Sequence, residues 1–379
     1  MASLYLHIPY CEKKCIYCDF YSIESMQTME QFLRALDGEI ATYARQYSSG
    51  NTFETIFFGG GTPSLLPPSV LGRLLDALHK HYRIESGAEI TVETNPGTVD
   101  REKLRAYRAL GVNRLSIGIQ SFHEDELKFL SRIHNADEAR QCVEDAHHAG
   151  FENVSVDLIF SLPHQTPERW KANLEQAIAL QPKHISAYSL IVEEHTPLFT
   201  MVKEGTVATL PEEADSRMYE ETLALMEENG FHHYEVSNYA RSGYECRHNK
   251  NYWNHSNYLS FGPSAHSFWK DGPTNGRRWW NVRSIAKYCE NVSGGTLPVS
   301  GSETVDREKM FNEAIFLGLR TGELNVSMLR QVYGVDLFST RRETLTEFSN
   351  EGLIQINDRS ITLTRRGFLV CDAIAESLL

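Results

Sequence analysis

The succession of apolar patterns in roughly the first 230 residues constrains the fold more than any other feature of this chain. Short strand-like runs alternate with helical patterns. The runs are Leu4–Ile8, Thr55–Phe58, Glu89–Glu93, Arg114–Ile119, Val154–Phe160 and His184–Ile191. Between them, Met29–Tyr47 places Phe32, Leu33, Leu36, Ile40 and Tyr43 at helical spacing. A second helix carries Leu71, Leu74, Leu75 and Leu78 on one face. Arg101–Leu110, Asp137–Ala149, Pro167–Leu180 and Pro211–Asn229 read as the rest. Gly111, Gly150 and Gly230 stand where three of these helices stop. Six strand–helix units in a row predict a parallel sheet with right-handed crossovers. The pattern fits an open doubly wound sheet or a partial barrel and does not choose between them.

Chemically distinctive residues fall at the ends of those runs. Cys11, Cys15 and Cys18 follow the first strand. Gly59-Gly60-Gly61-Thr62-Pro63 follows the second, and Glu93-Thr94-Asn95-Pro96 ends the third. Gln120-Ser121-Phe122 ends the fourth; Asp157 lies within the fifth. Parallel α/β folds bind ligands at the carboxyl ends of their strands. Three thiolates spaced Cys-x3-Cys-x2-Cys can hold a four-iron, four-sulfur cluster by three irons, leaving the fourth open to a small molecule. A structural zinc would need a fourth ligand. His7 is close in sequence but sits in an apolar, strand-like run. Seven cysteines, an odd number in a chain of cytosolic character, argue against a disulfide framework. The glycine run lacks the Gly-Lys-Ser/Thr ending of a phosphate loop.

Composition narrows the class. The chain has 379 residues, 41% hydrophobic, with a net charge of −13, which argues against a general nucleic-acid surface. No apolar run approaches the roughly 20 residues of a membrane span, and no secretory signal is visible. The expectation is a cytoplasmic globular protein. From about Gly243 the character changes. Cys246-Arg247-His248-Asn249-Lys250-Asn251-Tyr252-Trp253 leads into a Gly/Pro/aromatic loop through Trp280. Helical patterns follow at Val305–Leu319, Val326–Tyr333 and Leu337–Phe348. Two short strands, Leu353–Ile356 and Ser360–Leu363, precede a final helix, Arg365–Leu378. Helices followed by a hairpin resemble a winged-helix unit. The division expected is residues 1–235 and 236–379.

The cysteine spacing, with Tyr17 before the last cysteine, resembles the radical S-adenosylmethionine (SAM) superfamily. The resemblance implies a partial (β/α)6 barrel, a [4Fe-4S] cluster on Cys11, Cys15 and Cys18, and SAM chelated at the open iron. Reduction would then release a 5′-deoxyadenosyl radical. Closer resemblance is to the oxygen-independent coproporphyrinogen III oxidases and the related heme chaperones. It is carried by Tyr5 to Cys11, Phe58 to Ser64, Glu93 to Pro96, Gly118 to Phe122, Asp157-Leu158-Ile159 and His248 to Trp253. It implies that Tyr5, Gly60, Gly61, Thr62, Glu93, Gln120, Arg132 and Asp157 line the SAM site. Glu93 and Asp157 would accept hydrogen bonds, and Arg132 would pair with the methionine carboxylate.

Two functions compete on this scaffold: oxidative decarboxylation of coproporphyrinogen III propionates in porphyrin biosynthesis, and heme binding with transfer to apo-hemoproteins. The oxidases carry a fourth cysteine two residues after the third, where this chain has Phe20. They also carry an extension ahead of the cysteine loop, which here starts at residue 11. The segment His248-Asn249-x-x-Tyr252-Trp253 resembles the chaperone signature associated with heme. An imidazole is a common axial ligand to heme iron, and Tyr252 and Trp253 would supply flat apolar faces. His255 and His266 are nearby competitors, and Cys246 is a further candidate contact. The expectation is therefore a heme chaperone without oxidase activity. Its implied partners are heme, recipient apo-hemoproteins such as respiratory enzymes, and an electron donor. Peripheral membrane contact through a recipient and a homodimer are further options. Cys142, Cys289 and Cys371 read as buried or incidental thiols.

Overall fold

A computed structural model describes residues 2–379. The six expected strands are β1 (Ala2–Ile8), β2 (Phe53–Gly60), β3 (Ile84–Thr94), β4 (Arg114–Gln120), β5 (Asn153–Phe160) and β6 (His184–Ser189). Each pairs in parallel with the next in sequence order. That order decides between the two architectures left open by the pattern. A doubly wound sheet reverses its strand order at a switch point; this one runs β1 to β6 without reversal. It is a partial (β/α)6 barrel, because β1 and β6 take other neighbours instead of each other.

Those neighbours extend the sheet to twelve strands. Beyond β6 lie β7 (His232–Glu235) and β8 (Asn238–Ala240), both antiparallel. Beyond β1 comes β9 (Asn257–Phe261), parallel to it. An antiparallel run follows of β10 (His266–Lys270), β11 (Gly276–Asn281) and β12 (Val299–Val305). The expected Gly/Pro/aromatic loop is thus corrected. Three strands occupy most of it, with Gly262-Pro263 and Gly272-Pro273 in the connections. The sheet also runs through position 235. A second buried core, built mainly from residues 305–378, joins helices to a small sheet of β13 (Glu323–Asn325), β15 (Ser360–Leu363) and β14 (Ile354–Ile356). The final helix is two, Arg365–Leu369 and Cys371–Leu378. Among the described residues no helix is long and apolar enough to cross a membrane.

Period-two patterning sorts the barrel's side chains onto two faces. Leu4, Leu6, Ile8, Ile56, Phe58, Val92, Leu115, Ile117, Val154 and Val156 join the core under the helices. The helices hold their places through local signals. Asp100 and Thr166 each accept a backbone N–H of their helix's first turn, and Asn135 with Glu138 forms a capping box. Most of the alternate residues are polar, among them Ser3 and Thr55, Glu89 and Glu93, Ser116, Ser155 and Asp157, His184 and Ser186, with Tyr5 and Phe57 as aromatic members. A face of that composition makes a polar interior.

Candidate cofactor and cargo site

The cysteine loop is latched to the rim of the barrel by its backbone. Gly61 N–H donates to Ile8 O at 2.8 Å and Thr62 N–H to Tyr10 O at 2.7 Å. Cys11 N–H donates to Ile23 O at 3.0 Å, which folds the loop back on itself. The approach is close enough to need glycine. A Cβ on Gly61 would lie 2.6 Å from Tyr10 O, and one on Gly60 2.6 Å from the His7 ring, with φ at +107°. The glycine run therefore fits the chain against its own cysteine loop, and its amides are spent there and on Glu93.

All three loop thiols are free. Burial pushes the Cys18 thiol up to about 11, and the nearby Cys15 and Cys11 add to this. Among the described residues no three His, Cys, Asp or Glu side chains converge as a single-ion centre requires. His7 is not a spare zinc ligand: Nε2 lies 2.7 Å from Tyr21 O and Nδ1 3.3 Å from the Tyr5 hydroxyl. A four-iron cluster takes each thiolate on a different iron, so the loop suits it better.

Arg132 joins this loop to the rim. Its Nη1 donates to Cys15 Sγ at 3.4 Å, and its Nη2 to Asn95 Oδ1 at 2.5 Å and Gly118 O at 2.6 Å. Nε is buried without a partner among the described residues. Beside it, a register shift between Gly118 and Gln120 and a φ of +72° at Gln120 end β4. The Gln120 amide folds back over Gly118. Glu93 accepts from Gly60 N–H at 3.1 Å; burial first, then Asp157, pushes its carboxyl up to about 8. Asp157 accepts from Ser116 at 2.8 Å and Ser155 at 3.1 Å, and burial raises it too. Thr91, between Glu89 and Glu93 on the same strand face, has a buried hydroxyl with no partner. Orphaned polar atoms beside two raised carboxyls and a guanidinium fit a ligand with amino, carboxylate and hydroxyl groups. The residues expected for SAM thus lie along one rim, with Tyr5 on β1 close enough for Glu93 to influence its hydroxyl. Ser116 was not singled out from sequence, although the polar alternation of β4 was its signal; Asn95 was read only as part of the Glu93–Pro96 segment that ends β3.

The opposite, amino-terminal end of the barrel is closed by the helix Arg247–Trp253. Glu89 caps it, accepting Arg247 N–H at 3.1 Å and His248 N–H at 3.0 Å. His248 is 1% exposed. Its Nδ1 lies 2.7 Å from Thr55 Oγ1 and its Nε2 3.0 Å from the Tyr252 hydroxyl, while its ring stacks on Phe57. Asn251 donates to Ser3 Oγ at 2.8 Å. Burial lowers His248 to about 3, so the ring is neutral. Both its nitrogens are engaged in this arrangement, and binding an iron through one of them would require breaking the hydrogen bond at that nitrogen alone. Cys246 is buried against Glu89. Trp253 keeps a buried indole N–H without a partner. His255 Nε2 lies 2.8 Å from Glu313 Oε2 without the alignment of a hydrogen bond.

Tyr252 also lines a cavity of about 370 Å³ between the cysteine loop and the β9–β11 region, together with Tyr5, Phe20, Tyr258, His266 and Arg283. Phe20 is 65% exposed there.

Comparison with known proteins bears on the fold and the family. Residues 5–177 match the Radical SAM superfamily and residues 305–370 the HemN C-terminal domain. Coproporphyrinogen III oxidase (HemN) from Escherichia coli has the same fold, with a TM-score of 0.84 at 23% identity, over 100% of this chain and 89% of that one. The heme chaperone HemW of Bacillus subtilis (strain 168) is 35% identical over 100% of this chain and 99% of its own. HemW of Escherichia coli (strain K12) is 40% identical over 70% of this chain and 69% of its own. The mitochondrial radical S-adenosyl methionine domain-containing protein 1 of Bos taurus is 35% identical over 100% and 87%. Membership of the superfamily implies a [4Fe-4S] cluster and SAM. Similar from end to end to HemW proteins of distant bacteria, the chain belongs to the HemW family of the radical SAM superfamily.

Proposed function

We propose that this protein is a heme chaperone: it holds heme and passes it to apo-hemoproteins on a cluster- and SAM-binding scaffold. The observation that carries the reading is the end-to-end similarity to proteins named heme chaperone HemW. Phe20 supports it, because the oxidases have a cysteine there. In this reading Cys11, Cys15 and Cys18 hold the cluster. Arg132 orients the SAM carboxylate, and Glu93, Asp157 and Gln120 take the amino and ribose groups, with Tyr5, Gly60, Gly61 and Thr62 completing the wall. SAM bound in this way can serve regulation without turnover. Heme contact through His248, Tyr252 and Trp253 belongs to the same reading: Tyr252 lines the cavity, and freeing His248 Nε2 requires its hydrogen bond to Tyr252 to break.

The oxidase is the second reading, favoured only by the shared fold. An anaerobic assay separates them. Cluster-loaded protein receives SAM, a reductant and coproporphyrinogen III, and 5′-deoxyadenosine and decarboxylated product are quantified by mass spectrometry. No multiple-turnover divinyl product is expected. Its appearance would overturn the chaperone reading.

A further inference from the structure

The sheet loosens at the rim end of β4. Its pairing with β3 reaches only Ile117, and on the other side the register with β5 skips Ile119. Buried carbonyls that lose a ladder partner need another donor. Two carbonyls here find theirs on one turn, residues 130–134, between the helices Glu124–Phe129 and Ala136–His148. Arg132 Nη2 donates to Gly118 O at 2.6 Å, and His134 Nε2 lies 3.1 Å from Ile119 O. The same two side chains converge on Asn95 Oδ1, Arg132 Nη2 at 2.5 Å and His134 Nδ1 at 3.2 Å. His134 is only 4% exposed.

We propose that His134 is a positioning residue for the SAM site: it holds the end of β4 and the Asn95 amide so that Arg132 meets the cofactor in one orientation. The inference rests on the assignment of Arg132 and Gln120 to SAM. Burial, then Arg132, pushes the His134 ring down to about 4, so it is neutral. A neutral imidazole has one N–H, and here it faces two oxygen acceptors. Asn95 Oδ1 already receives Arg132, whereas Ile119 stands at the skipped register position, so the N–H belongs on Nε2 toward Ile119 O. That bond fixes the residue before Gln120, whose φ of +72° folds its amide over Gly118. On the other side the ring closes the space behind Asn95 Oδ1. Turning the Asn95 amide over would set its N–H groups against the Arg132 guanidinium, so the oxygen stays in place. The backbone of Asn95 is fixed independently: its N–H donates to Ser64 Oγ at 3.1 Å and its carbonyl accepts from Thr98 Oγ1 at 2.7 Å. The ring's own anchor is the capping box at the next residue, Asn135 with Glu138. Held this way, Arg132 spends both Nη2 protons on Gly118 and Asn95 and one Nη1 proton on Cys15. Its buried Nε–H, without a partner among the described residues, is left to meet a carboxylate.

The test uses cluster-loaded protein. It reads SAM affinity by equilibrium dialysis, and the change that SAM makes in the electron paramagnetic resonance spectrum of the reduced cluster. His134→Phe keeps a ring and removes the N–H. It should retain the cluster's visible absorption, weaken SAM binding on the order of tenfold and alter the SAM-dependent spectrum. His134→Gln, whose amide N–H can serve Ile119 O, should recover most of the loss. In an Arg132→Lys background, His134→Phe should cost less than about twofold more, because both residues act through one guanidinium. Wild-type affinity and spectrum in His134→Phe, or losses that multiply in full in the double variant, would overturn the proposal while sparing the SAM assignment. His134→Ala, in which a water can reach the carbonyl, is the second variant and is expected to behave like His134→Phe. Failure of both to load the cluster would overturn the proposal too, by making His134 a support of the fold. Wild type that binds no SAM would overturn the SAM assignment and the proposal together.

Discussion

Arg132 shows how much depends on one side chain at this rim. Its guanidinium reaches the Cys15 thiol, the Asn95 amide and the Gly118 carbonyl at once. A lysine presents a point charge and cannot make that fork. Arg132→Lys is therefore expected to retain the cluster's visible absorption and to weaken SAM binding on the order of tenfold by equilibrium dialysis, about 1.4 kcal/mol. The three cysteines behave differently. Each Cys→Ser change at 11, 15 or 18 is expected to abolish the visible absorption, and full iron content in all three variants would refute the cluster assignment. Glu39 gives a prediction remote from any cofactor. Its carboxylate accepts from Gly262, Asn281 and Tyr288, and burial still pushes it up to about 7. The folded state therefore binds the Glu39 proton more tightly than the unfolded chain, whose carboxyl titrates near 4.3. Stability contributed by the neutral acid is complete below that value and is lost as pH rises through about 7. Glu39→Gln should flatten this part of the Tm–pH curve, measured by thermal unfolding from about pH 5 to 8.

The floor helix Arg247–Trp253 is short, and its place in the barrel comes from Glu89, Thr55 and Ser3 on three strands rather than from helix propensity. Glu89→Ala would leave the buried His248 amide and the half-buried Arg247 amide without an acceptor, at about 1–3 kcal/mol for the buried one. Urea unfolding is expected to show a loss of that order; a loss below about 0.5 kcal/mol would mean that water replaces the carboxylate. This helix also marks where sequence stops being legible. The six barrel strands and their helices could be read because each repeats a local period; Met29–Tyr47 was bounded to the residue. Cys11, Cys15 and Cys18 could be read because their spacing is local too. His248 could not be placed, since its partners, Thr55 and Phe57, lie nearly two hundred residues away in the chain. The strands β9 to β11 were missed for another reason. They are five or six residues long, rich in aromatics, and separated by Gly-Pro turns, so their alternation is too brief to stand out from a loop. They nevertheless carry His266, Tyr258 and Ser260 to the cavity.

At the scale of the molecule, a fold shared with an oxidase does not settle what this chain does. What it does settle is which parts can loosen independently. The cysteine loop is attached through the backbone N–H groups of Gly61, Thr62 and Leu198, on Ile8, Tyr10 and Ile16, and through the side chains of Arg132 on Cys15 and Arg283 on Asp19. The barrel beneath it has its own core of packed strands and helices. The cluster, when bound, adds three covalent ties across residues 11–18, so its removal takes away restraint from the loop but none from the sheet. Hydrogen exchange after iron chelation should therefore rise sharply over residues 11–21 and change little over β1 to β6. Phe20 and Tyr21 lie inside the loosened stretch and line the cavity beside His266. Uniform loss of protection across the barrel would show instead that the cluster supports the whole fold.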